Sequence, residues 1–80
     1  MYFYYTGHDL HNHLVRFSAA DDVATDGPHE LFETSTPSQL LHVGGSILFG
    51  PDGKLYFAVG DNGYGPNAQD LSNPHGKILR

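Results

Sequence analysis

An imidazole and a carboxylate brought together can move a proton, and His42 and Asp61 are candidates for such a pair. His42 stands in "LLHVGG" and Asp61 in "AVGDNG". A neutral imidazole has an ordinary pKa of ~6.5, so it accepts a proton near neutrality. A carboxylate bonded to its second ring nitrogen would fix the tautomer and raise its basicity. Each residue also has an ordinary reading: His42 as a loop histidine with no role, Asp61 as a turn-former at a strand end. Gly44 and Gly45 have no side chains, so a flat ligand could approach their backbone. Asn62, Asn67 and Gln69 carry amides that could bond a ligand's oxygens, although loop solvation accounts for any one of them alone.

Other constellations carry less. "HDLHNH" holds His8, His11 and His13. In extended backbone His11 and His13 share a face and could bind a metal, but no matching carboxylate is obvious nearby, so the stretch reads as a solvated loop. His29 and His75 have only turn contexts. Gly60, Gly63 and Gly65 are in the wrong order for a dinucleotide-binding turn, and no helix pattern follows them. Asp61-Asn62-Gly63 lacks the alternating oxygen ligands and closing Glu of a calcium loop. The absence of cysteine excludes disulfides, thiol catalysis and zinc–thiolate sites.

The elements that must position His42 and Asp61 form the strongest local signal. "GSILFG" (45–50) and "LYFAVGD" (55–61) are apolar runs joined by "PDGK". Pro51 presets a turn dihedral, Asp52 can bond its own backbone, and Gly53 takes positive φ, which predicts a hairpin. His42 then enters the first strand and Asp61 leaves the second, and antiparallel pairing brings them to one edge. Elsewhere "YFYYT" (2–6), "LVRFSA" (14–19) and "ELFETS" (30–35) read as strands. A turn is expected at Asp26, Gly27 and Pro28. "NGYGPNAQDLSNPHG" reads as a long loop, and "KILR" opens one more strand.

No window carries a helical apolar period, so the fold class is all-β, with turn signals roughly every 8–12 residues as in a sandwich, barrel or propeller. Ten glycines and five prolines suit that reading. The chain stops inside a strand start, so it is expected to be a piece of a larger sheet protein, truncated at its C-terminal end and at its N-terminal end as well. With 80 residues, a net charge of -5 and four Lys and Arg, no basic face is available for nucleic acid or for a polybasic membrane contact. No run is apolar enough to span a bilayer, and "MYFYYTGHD" lacks the basic region of a signal peptide.

"HVGGSILFGPDGKLYFAVGDNGYGPNAQDLSNPHGKILR" resembles the glucose/sorbosone dehydrogenase family of soluble PQQ-dependent sugar dehydrogenases. The histidine, the Gly-Gly, "FGPDGKLY", "GD" with its Gly-rich loop and "GK-LR" all stand in family order. "YFYYT…NHLVRFSA" is similar to the strand pair that precedes them, so the resemblance covers nearly the whole chain. It implies part of a six-bladed β-propeller built of four-stranded antiparallel blades. At ~40–50 residues per blade, the chain would hold under two of them. It implies a quinoprotein that oxidises an aldose or related sugar aldehyde at the anomeric carbon, with His42 as general base and Asp61 as its orienting partner. Gly44, Gly45, Asn62 and Gln69 would face the cofactor. PQQ and calcium would be the cofactors, a sugar and an electron acceptor the partners, and the location periplasmic or secreted. The basic residues that clamp the PQQ carboxylates belong to later blades, and no calcium ligand can be assigned from these residues. Many members carry polar residues beside the base, where this chain has Leu41 and Val43. Hedgehog-interacting proteins share the resemblance, which keeps a non-catalytic interaction propeller as the alternative.

Overall fold

The computed structural model describes residues 1–80. The chain is all-β, as expected: two three-stranded antiparallel sheets and one short 3-10 turn, consistent with part of a propeller blade. The sheets lie in two compact units, Met1–Pro37 and Ser38–Arg80.

In the first unit β1 (Tyr2–Thr6), β2 (Asn12–Ala20) and β3 (Val23–Glu33) pair in the order β1-β2-β3. Their aromatic and β-branched residues suit a pleated surface. Asp21 and Asp22 both take positive φ (53° and 63°), and Ala20 pairs with Val23 across them. This is the two-residue hairpin geometry that Asp tolerates better than most residues. The turn expected at Asp26, Gly27 and Pro28 is therefore not the reversal: those residues lie inside β3, which runs far longer than the 30–35 strand expected. Pro28 is tolerated because β3 is an edge strand, and register shifts absorb the irregularity.

Leu14 and Val15 form the apolar core of this unit, each 2% exposed. Asn12 and Thr34 are also buried and bond each other: the Asn12 N–H donates to Thr34 Oγ1 (3.0 Å) and the Thr34 N–H to the Asn12 carbonyl (2.9 Å). His13 belongs to β2 rather than to a solvated loop. Carboxylates do surround it, and hydrogen bonds to Asp9 and then Glu30 raise its pKa above the ordinary imidazole value.

In the second unit β4 (Gly44–Phe49), β5 (Leu55–Val59) and β6 (Lys77–Leu79) pair in the order β4-β5-β6. The expected hairpin is present. The Gly53 N–H bonds the Gly50 carbonyl (3.0 Å), Gly53 has φ 76°, and Asp52 accepts from the Lys54 N–H (3.0 Å). Central β5 supplies the core residues Phe57 and Val59, whose burial stabilises the sheet by ~1.5–3 kcal/mol each. Leu48 and Ile78 stay more than 70% exposed on the sheet. The connection from β5 to β6 is not structureless. It contains a 3-10 turn, Gly65–Gln69, and is built around one lysine. The Lys77 Nζ donates to the carbonyls of Asn67 (2.7 Å), Asp70 (2.6 Å) and His75 (2.8 Å). Three donors on an ammonium meet three carbonyls, and that ties the loop to the start of β6.

Candidate active site

The second unit brings His42 and Asp61 together at the end of the β4–β5 hairpin away from the Pro51–Gly53 turn. His42 precedes β4 and Asp61 follows β5, and the Gly44↔Val59 pairing aligns the two ends. The His42 Nδ1 lies 3.0 Å from Asp61 Oδ1. With Nδ1 donating to the carboxylate, Nε2 is left as the acceptor, and it makes no hydrogen bond within the chain. The His42 side chain is 64% exposed and that of Asp61 28%. In so open a place the pair adds little to stability; what it fixes is the orientation of the ring.

Backbone geometry holds this arrangement. His42 and Asn62 both take left-handed conformations (φ 57° and 60°), and the Asn62 N–H donates to the His42 carbonyl at 3.0 Å. Such conformations cost of order 1–3 kcal/mol each and persist where the surroundings over-determine them. Asp61 Oδ1 also accepts from the Gly63 N–H (2.9 Å), and the Asp61 carbonyl accepts from Asn67 Nδ2 (2.9 Å). The carboxylate is thus set by its own turn before it meets the imidazole.

Gly60 is the closest contact of all. A Cβ there would lie 1.7 Å from the His42 carbonyl oxygen and 2.3 Å from its carbon. The requirement for glycine at 60 is invisible in a single sequence, because it arises from a backbone that returns from 18 positions earlier. Gly44 has a similar cause: a Cβ would stand 2.3 Å from the Ala58 carbonyl oxygen, so strand pairing alone demands glycine there. Gly45, with φ 131°, lies exposed in β4.

Of the amides, Asn62 is 3% exposed and its Oδ1 accepts from the Gln39 N–H at 2.9 Å, which braces the loop. Asn67 is likewise engaged within the loop. Gln69 is exposed at the end of the 3-10 turn. Leu41 is exposed and Val43 half-buried, so the polar support of His42 comes from Asp61 across the hairpin rather than from its chain neighbours.

A cofactor with several carboxylates would need cations at this edge. Two cations of this unit are elsewhere: Lys54 follows the hairpin turn and Arg80 Nη1 lies 3.6 Å from Asp52; Lys77 opens β6 opposite Val59, at this edge, but its Nζ is spent on three carbonyls. The residues present fit the base side of a PQQ site and do not fit its carboxylate clamp. Calcium takes about six to eight oxygens. The one group of potential ligands gathered in the chain is Asp9, His13 and Glu33, in the other unit, and its imidazole does not suit that ion. No helix is long and apolar enough to cross a membrane.

The family model described as Glucose / Sorbosone dehydrogenase matches residues 1–80. The HIPL1 protein of Arabidopsis thaliana is 51% identical over 43 residues, covering 49% of this chain and 6% of that protein. The aldose sugar dehydrogenase YliI of Escherichia coli (strain K12) is 44% identical over 39 residues, covering 49% of this chain and 10% of that protein. The chain thus spans a tenth or less of the length of these relatives. No solved structure matches it significantly. With the family model matching along its whole length, the chain belongs to the glucose / sorbosone dehydrogenase family.

Proposed function

We propose that these residues form the proton-accepting edge of a PQQ-dependent sugar dehydrogenase that oxidises an aldose, or a related sugar aldehyde, at its anomeric carbon. One observation carries the reading: the His42 ring is held through Nδ1 by Asp61 at 3.0 Å, while Nε2 stays open to solvent. In this reading Nε2 takes the proton of the anomeric hydroxyl, and the Nδ1–H bond to Asp61 stabilises the imidazolium that forms. PQQ is the oxidant that would remove the hydride from the same carbon, and a separate electron acceptor would reoxidise it. Residues 1–80 are then part of a six-bladed propeller truncated at both ends. The PQQ-carboxylate clamp and the calcium ligands belong to other blades, and the setting is periplasmic or secreted. The exposed apolar residues Leu48 and Ile78 support burial against further sheet. The isolated chain is expected to be inactive, because catalytic groups misplaced by about an ångström lose about 100-fold in rate.

A second reading, a non-catalytic interaction propeller, draws on Leu40 and Leu41, which are 85% and 65% exposed beside His42. An apolar pair at the mouth of a sugar site would suit a protein contact as well. The two readings separate in a protein that carries these residues within a complete domain. With PQQ and calcium added, dye reduction is followed over a panel of aldoses. The enzyme reading expects turnover that Asp61→Asn lowers about 10- to 100-fold. Absence of both PQQ binding and turnover with every aldose would overturn the enzyme reading and favour the second.

A further inference from the structure

We propose that His13, Asp9 and Glu33 form a binding site for a borderline divalent cation of the Zn²⁺ type, with Glu30 as the outer partner of the imidazole. Tyr5, His13 and Glu33 stand directly opposite one another across β1, β2 and β3, so their side chains share one face of the sheet. In a regular strand Glu30 and Glu33 would point to opposite faces. The register shift between Leu14 and Val15 moves Val15 opposite Glu30 and leaves Leu31 as the extra residue, which brings both glutamates to the His13 side. The irregularity therefore aims a side chain.

The imidazole is set as metal-bound imidazoles are. Its Nδ1 lies 2.8 Å from Glu30 Oε1, a carboxylate that fixes the Nδ1–H tautomer, and the ring stacks on Tyr5 with centroids 5.2 Å apart. Nε2 then faces Asp9, whose oxygens are 3.0 and 3.1 Å away, and the ligand atoms of Asp9, His13 and Glu33 all lie within 4.8 Å of one another. Zinc bonds of about 2.1 Å to nitrogen and oxygen, at a tetrahedral angle, put the two ligand atoms about 3.4 Å apart. The His13–Asp9 pair must open by only about 0.4 Å, and an exposed Glu33 side chain swings in by at most about 1.4 Å to match. Three carboxylates surround one imidazole, so even an imidazolium leaves net negative charge that a divalent ion offsets. Space is reserved as well. A Cβ on Gly7 would stand 2.7 Å from Asp9 Oδ1 and 3.1 Å from His13 Nε2, so the missing side chain leaves these atoms accessible. Gly7 and Asp9 also line a surface depression there, with Tyr5, Thr6 and His8.

Titration of the full chain with Zn²⁺ alone by calorimetry at about neutral pH tests this. The expected result is saturable 1:1 binding, weakened more than about 100-fold in His13→Gln and about 10- to 100-fold in Glu30→Gln, which reaches the metal only through Nδ1. Exposed Glu33→Gln guards against a His13 variant that unfolds, and should itself weaken binding at least about 10-fold. His29→Gln, in the separate Asp26 pair, should leave affinity unchanged. The proposal is overturned by absence of saturable Zn²⁺ binding to the folded chain, by affinity that survives both His13→Gln and Glu33→Gln, by binding lost instead in His42→Gln, or by Ca²⁺ binding more tightly than Zn²⁺.

Discussion

Gly60→Ala separates an account based on backbone packing from one based on side chains alone. The added methyl would start 1.7 Å from the His42 carbonyl oxygen and 2.9 Å from the Val43 nitrogen. Cβ contacts below 3.0 Å essentially never occur, so the entry to β4 must retreat by about 1.3 Å. The bond from the Asn62 N–H to the His42 carbonyl starts at 3.0 Å and does not survive that shift. Nor does the 3.0 Å contact of His42 with Asp61. Overpacking costs ~1–3 kcal/mol and a lost hydrogen bond ~1 kcal/mol more, so a destabilisation of ~2–4 kcal/mol is expected. Gly53→Ala is the matched control. It has φ 76° and nothing within 4 Å, so only the left-handed backbone is penalised, by ~1–2 kcal/mol. Urea denaturation of the chain measures both variants, and imidazole ¹⁵N NMR reports whether the His42 Nδ1–H bond persists. If Gly60→Ala cost no more than Gly53→Ala and left the His42 ring signals unmoved, the packing argument would fail.

Lys77→Met keeps the aliphatic stem but removes three charge-assisted donors, so the 60–76 connection should loosen while the β4–β5 hairpin persists. Hydrogen exchange should speed up in residues 65–76, with a stability loss of ~2–4 kcal/mol; protection equal to wild type would contradict the lysine's role. At the hairpin turn, the Tyr56 hydroxyl and then the Lys54 N–H hold the Asp52 carboxyl below its ordinary value of 3.8. A carboxylate depressed on folding contributes stability that is full above the unfolded value and lost as pH falls through the folded one. Tyr56→Phe should therefore raise the Asp52 pKa in a carboxyl ¹³C titration and weaken the turn at neutral pH more than in strong acid.

What was legible in the sequence depended on how local its cause was. The Pro51–Gly53 turn and the 2–6 strand follow from residue type alone, and both are present. The meeting of His42 and Asp61 followed from hairpin topology, since antiparallel pairing leaves only one edge for both. Where two turn-formers compete, residue type does not decide. Residue type points to Asp26-Gly27-Pro28, yet pairing with β2 puts the reversal at Asp21-Asp22. Non-local contacts were illegible in the same way. Asn62 looked like an open amide and is a buried brace because Gln39 folds back on it. His13 looked unsupported because Glu30 and Glu33 arrive from another strand, one of them through a register shift, although Asp9 stands four residues upstream in the same stretch. Gly60 looked like loop punctuation and is a contact point for the residue that carries the chemistry.

The most direct test of the central claim is the turnover number of a His42→Gln variant in a protein that carries these residues within a complete domain. It is measured by dye reduction with an aldose at saturating PQQ and calcium, alongside a PQQ-binding titration. Loss of a general base should lower kcat by about 10²–10⁴-fold while PQQ binds as before. Undiminished turnover in that variant, with PQQ bound, would contradict the assignment of His42 as the proton acceptor.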